Sequence, residues 1–168
     1  MESRVKLLGH PIHPMLVVFP LGLLTAAAMF DLIYRLTGVE ALAVTAFYVM
    51  LAGIAGGLLA AVFGFLDYRA IPPSTRARRI GRFHGFGNVV MLGFFGLSAW
   101  LRWFGEAADP PFIASVFAYL GAGLGMVTGW LGGELVDRLG VGVDDGAHLD
   151  APSSLKVTSL SDRQEAAD

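Results

Sequence analysis

Apolar positions along the chain gather into four runs: Met15–Tyr34, Ala41–Leu66, roughly His84–Phe104, and Phe112–Leu135. Each is about 20 residues or longer, enough to cross the ~30 Å hydrocarbon layer as a helix. The segments between them, "RLTGVE", "DYRAIPPSTRARRIGR" and "EAADPP", carry the polar residues and helix breakers. The pattern predicts helices over about 14–35, 41–67, 83–104 and 112–136, within one transmembrane domain spanning residues 1–143. Residues 144–168 lose the apolar content and read as a disordered polar tail. Two short connections on one side give an all-α, up-down four-helix bundle.

Composition strengthens this reading. Of 168 residues, 55% are hydrophobic and only 15% charged, with a mean hydropathy of +0.62. Soluble domains carry about 25% charged residues. The formal net charge of −2 gives no pull toward nucleic acid. Cysteine is absent, which excludes disulfides, thiolate catalysis, Cys-ligated zinc and a self-ligated iron–sulfur cluster. The first run reads as a retained helix rather than a cleaved leader, because Pro20 falls early in it and no polar segment follows Phe30 at once.

Basic residues set an expected orientation. Arg4, Lys6, Arg69, Arg76, Arg78, Arg79, Arg82 and Arg138 fall on one side of the four runs, against Arg35 and Arg102 on the other. The positive-inside rule then places both termini and the second connection in the cytoplasm. Trp100 and Trp103 belong to the aromatic belt of the opposite face.

Two features concern packing. Gly121, Gly125, Gly129 and Gly133 recur every four residues in the fourth run, and Gly53, Gly57 and Ala61 repeat the spacing in the second. Such stripes let a neighbouring backbone approach closely, or shape a groove for a flat cofactor or lipid. Pro20, inside the first helix, removes the hydrogen bond to Leu16 and predicts a kink.

The ionisable residues add candidate chemistry. His10 and His13 each precede a proline, which disfavours the α conformation. Pro14 suits a first helical position, with His13 at the helix entrance. A polyproline II segment repeats every three residues, so both imidazoles are expected on one side. Helix direction brings His84 to the same level, along with Asp67 and Glu134 at the ends of the second and fourth helices. Asn88 lies one turn above His84 on the same face. The set His10, His13, Asp67, His84 and Glu134 suits a divalent metal or a proton relay, and His13 with His84 suits axial ligation of a haem. The alternative is that polar residues collect where helix ends meet water. On that reading Glu134 pairs with Arg138 and Asp31 with Arg35, each four residues apart, and His148 is solvated in the tail.

"GHPIHPMLVVFPLGLL", "FGFLDY", "HGFGN" and "GWLGGELVDRLGVGV", in that order, resemble a bacterial membrane family catalogued as domain of unknown function 2231. The resemblance spans roughly Leu8 to Val143. It implies a four-helix inner-membrane protein with no established activity. It falls on His10, Pro11, His13, Pro14, Pro20, Asp67, His84, Asn88, Gly132, Gly133 and Glu134. Some relatives are joined to a Rieske-type iron–sulfur domain, which implies electron transfer, whereas this chain has no cysteine to build one.

Three functions follow. The first is a redox component binding haem or a divalent metal through His13 and His84, with His10 or Glu134 assisting, and served by a redox partner protein. The second is a subunit transporting protons or a small solute, assembled as a homo-oligomer because four helices are few. The third is a non-catalytic scaffold or accessory protein, with "RARRIGR" meeting a partner or anionic lipid. A hydrolase is disfavoured, since neither Gly-x-Ser-x-Gly nor a phosphate-binding glycine loop is present.

Overall fold

The computed structural model describes residues 1–155. Its four long helices are α1 (Ile12–Thr37), α2 (Glu40–Ala70), α3 (Arg76–Phe104) and α4 (Phe112–Gly133), the last continuing through a π-helical turn at Glu134–Arg138. All four are long and apolar enough to cross a membrane. Large apolar side chains such as Phe19, Leu58, Phe86 and Met126 point outward, while Ala27, Ala43, Ala46, Ala114 and Ala118 are fully buried. In lipid no hydrophobic force separates inside from outside, so small residues go where backbones must approach.

Local chemistry sets the helix ends. Gly38 closes α1 in the left-handed region, φ 71°, with its N–H bonded to Tyr34 O. Thr75 caps α3 by accepting from Arg78 N at 3.1 Å. Helix α1 starts at Ile12, so His13 and Pro14 lie in its first turn, where backbone N–H groups have no intrahelical acceptor and proline costs no bond.

The expected polyproline segment does not form. Two short strands, β1 (Lys6–Leu7) and β2 (His10–Pro11), pair antiparallel, with Leu7 opposite His10. The turn between them is Leu8–Gly9, φ 52° and 83°, the left-handed pair that a two-residue hairpin requires. His10 therefore sits on an exposed hairpin and His13 on a helix, so the prolines do not align the two imidazoles.

Around the bundle, α1 packs chiefly on α2 and α3 on α4, with lighter α2–α3 and α1–α4 seams. Helices α1 and α3 are thus diagonal. The two hairpins also repeat each other. Adding 71 to an α1 number and 68 to an α2 number gives the equivalent position in α3 or α4. Buried positions follow this register: Pro20 and Met91, Leu24 and Phe95, Ala27 and Ser98, Ala28 and Ala99, Asp31 and Arg102. In the returning helices Ala46 matches Ala114, Met50 matches Ala118 and Gly53 matches Gly121.

The glycines explain the repeat. A Cβ on Gly53 would come within 2.7 Å of Leu24, and one on Gly121 within 2.8 Å of Phe95. One on Gly57 would meet Leu92 of α3 at 2.8 Å, with Pro20 farther off at 3.5 Å, and one on Gly125 would meet Met91 at 3.1 Å. Gly53, Gly121 and Gly125 each admit a side chain of the outgoing helix of their own hairpin, whereas Gly57 chiefly admits Leu92 from the other hairpin. Gly129, in the expected α4 stripe, faces open space instead, and Gly132 takes over as the close contact.

The N-terminal segment straps the end of the bundle that carries both ends of the described chain. Ser3 Oγ and Arg4 N donate to Asp67, and Lys6 Nζ reaches Glu2 and Asp144. Part of the expected tail joins this strap, with Ser154 Oγ donating to Leu8 O at 3.0 Å. The remainder of that tail, residues 156–168, lies outside the described residues.

Candidate functional site

Polar side chains occupy two layers, one at the termini end and one near the far end. At the termini end, His13 Nδ1 is 2.9 Å from Ala60 O on α2, and His84 Nδ1 is 2.9 Å from Thr128 O on α4. A carbonyl can only accept, so both rings carry the proton on Nδ1. Four residues on from each carbonyl is a glycine with the ring pressed against it. A Cβ on Gly64 would lie 2.7 Å from His13, and one on Gly132 3.1 Å from His84. The two imidazoles therefore make the same clamp at equivalent positions, each closing its own hairpin.

Their second nitrogens differ. His84 Nε2 lies 3.2 Å from Asn88 Nδ2 and accepts from it, while Asn88 Oδ1 accepts from Thr128 Oγ1 at 3.0 Å. In the first hairpin Val17 and Ala60 stand where Asn88 and Thr128 stand in the second. Among the described residues no hydrogen bond engages His13 Nε2. Orientation through Nδ1 with Nε2 left over is how histidine is usually prepared as a ligand, and only His13 has that nitrogen open.

The other expected members of the cluster are engaged elsewhere. Asp67 accepts from Ser3 and Arg4. Glu134 pairs with Arg76 at the start of α3, not with Arg138. His10 is exposed, with Nε2 3.3 Å from Ser154 Oγ. Among the described residues no group of three or more His, Asp or Glu side chains stands close enough to hold a metal ion. Among the described residues these five do not gather into one cluster. His13 and His84 lie within electrostatic reach of each other, while Asp67, Glu134 and His10 are engaged by the N-terminal strap, Arg76 and Ser154.

The far layer contains the residues that the local sequence pattern did not assemble. Asp31 pairs with Arg102 across the bundle, Oδ1 to Nη2 at 2.6 Å, with both side chains fully buried. The expected Asp31–Arg35 pair does not form: Arg35 donates to Ser115 Oγ and Pro110 O. Arg102 Nε also donates to Ser98 Oγ at 3.3 Å, and Ser98 donates to Ala114 O. Tyr119 lies beside Asp31 and Ser115 without reaching hydrogen-bond geometry to either. Among the described residues the buried side-chain atoms without a partner are Asp31 Oδ2, Arg102 Nη1 and the Tyr119 hydroxyl. All three belong to this one layer.

Eighteen residues separate His13 from Asp31, and eighteen separate His84 from Arg102. That is five helical turns, about 27 Å, so each helix carries both polar residues on one face. This spacing was the one sequence signal that could have pointed to Arg102 as the partner of Asp31. Between the layers lies an apolar core of Leu24, Phe47, Met50, Met91 and Phe95.

Set against known proteins, residues 9–145 match the model of a family described as a predicted membrane protein, DUF2231. No curated protein and no solved structure matches the chain.

Proposed function

The chain belongs to the DUF2231 family of predicted membrane proteins, and we propose that it serves there as a non-catalytic accessory subunit. One observation carries this reading: the ionisable residues that suggested a reactive centre hold the bundle together instead. His13 and His84 clamp hairpins, Asp67 fastens the N-terminal segment, and Glu134 ties α4 to Arg76. The outward faces, rich in large apolar side chains, supply the surface for lipid and for partner membrane helices. The excess of Lys and Arg at the termini end supports a cytoplasmic location for both termini, in a bacterial inner membrane.

The test begins with protein purified in mild detergent. The accessory reading expects no haem absorption bands, no stoichiometric metal, and no proton flux after reconstitution. It also expects a partner of fixed stoichiometry after cross-linking in native membranes. A haem band or bound metal that disappears in His13→Ala would overturn it.

A second reading, ligation of haem or a divalent metal, is favoured by the open Nε2 of His13. It needs His84 to exchange its Asn88 donor for the metal. The same spectra and metal analysis decide it. The transport reading draws support from the intramembrane charges, and has the apolar layer between the polar ones to overcome.

A further inference from the structure

Two shallow grooves flank the bundle, and they occupy equivalent places in the repeat. The first, about 270 Å³, lies between α1 and α4 and is lined by Thr25, Ala28, Met29, Leu32, Tyr119 and Ala122. The second, about 390 Å³, lies between α2 and α3, where Gly96, Ala99, Trp100, Trp103, Leu51 and Ile54 stand at the six matching positions. The walls are mainly apolar in both, and one difference between them matters here. Tyr119 stands in the first groove where Leu51 stands in the second.

From the wall of the first groove the Tyr119 hydroxyl reaches inward to a place beside Asp31, where it is buried and unpartnered. Asp31 Oδ2 and Arg102 Nη1 are unpartnered as well, on side chains that are 0% and 1% exposed. Buried polar atoms are nearly always paired, so three orphans together mark a place for a polar group from outside the chain. They offer a guanidinium N–H donor, a carboxylate acceptor and a hydroxyl that can do either. The two buried charges at this place, Asp31 and Arg102, neutralise each other, so a neutral head matches it better than an ion.

We propose that the α1–α4 groove is a lipid-facing site for a neutral amphiphile with a carbonyl or hydroxyl head, a chemistry that quinones and quinols share. Its apolar part would lie along Ala28, Met29 and Leu32. Its oxygen would accept from Tyr119 or Arg102 Nη1, and a hydroxyl form would donate to Asp31 Oδ2. Small-molecule sites of this kind combine an apolar lining with a few convergent polar groups, and start near roughly 300 Å³.

The two grooves make an internal control. The full chain in lipid nanodiscs is titrated with a benzoquinone bearing a decyl tail, separating bound from free ligand. Saturable binding is expected, weakened about tenfold by Tyr119→Phe through loss of one hydrogen bond. Thr25→Trp, filling the first groove, should abolish it, and Gly96→Trp, filling the second, should leave it unchanged. Thermal unfolding of each variant separates lost binding from lost fold. If that separation removes Tyr119→Phe, photo-cross-linking of an azido derivative to α1 and α4 in the native chain provides the readout. Unsaturable uptake that ignores all three substitutions would overturn the site, as would loss in Gly96→Trp alone. Stronger competition by a decyl carboxylic acid would overturn the neutral head.

Discussion

The α1–α2 and α3–α4 hairpins are built on one plan but not with one set of residues. Where they agree, the shared features are packing: an imidazole clamped to a helix carbonyl over a glycine, and glycines that admit Leu24 or Phe95. Where they differ, the differences are chemical. Asp31 in one hairpin meets Arg102 in the other at equivalent positions. A pair of first hairpins would set Asp31 against Asp31, and a pair of second hairpins Arg102 against Arg102. The opposite charges therefore favour one of each. Buried ion pairs add little net stability compared with apolar packing, and their best-attested use is to specify arrangement.

The largest test of that comparison falls on the charges. Asp31→Ala or Arg102→Ala alone leaves an unpaired buried charge and should cost about 3–5 kcal/mol in detergent unfolding. The exchange Asp31→Arg with Arg102→Asp should recover most of the loss. If the double exchange is as unstable as the sum of the singles, the surroundings rather than the pairing dictate these residues.

A smaller effect separates the two clamps. Gly64→Ala drives a Cβ to 2.7 Å from His13, whereas Gly132→Ala brings one to 3.1 Å from His84. Overpacking of this kind costs about 1–3 kcal/mol, and the first substitution should be the more damaging by thermal unfolding. Equal losses would mean that His13 swings away freely. Smaller again is Asn88→Ala, which removes the donor to His84 Nε2 and should cost about 1 kcal/mol. Val17→Ala, at the equivalent place, should change stability without altering the His84 ring resonances in nitrogen NMR, while Asn88→Ala shifts them.

The smallest effect lies in the strap, which no counterpart in the second hairpin repeats. Burial lowers the affinity of Lys6 for its proton, but the carboxylates of Glu2 and Asp144 outweigh it and hold its pKa above the ordinary 10.5. The Gly146 N–H and Lys6 hold Asp144 below its ordinary 3.8. Asp144 thus contributes above 3.8 and is lost as pH falls through its lower folded value. Lys6 contributes below 10.5 and is lost as pH rises through its higher folded value. Amide exchange in residues 4–7 should be slow between those limits and faster outside them. Because Asp144 is half exposed, solvent screening keeps the gain small, and a flat profile would show the strap held by Ser3, Arg4 and Asp67 alone.

The four helices and the overall class were legible in the sequence because apolar run length against bilayer thickness needs no tertiary knowledge, although α3 starts at Arg76, seven residues before the expected 83, because its first two turns are polar. The close glycine contacts were partly legible, as the exchange of Gly129 for Gly132 shows. The site was not. Asp31 is four residues from Arg35, and local spacing pairs them, yet the face bearing Asp31 turns to the bundle centre and meets Arg102, 71 residues away. His10, His13, Asp67, His84 and Glu134 share a depth, which helix direction gives, but depth leaves the rotation of each helix undetermined.

By itself, then, the sequence determined that this chain forms four helices long and apolar enough to cross a membrane, and the order in which they follow one another. Tertiary structure alone decided which faces meet. In lipid most outward rotations of an apolar helix are nearly equivalent, and close contacts and buried charges select among them.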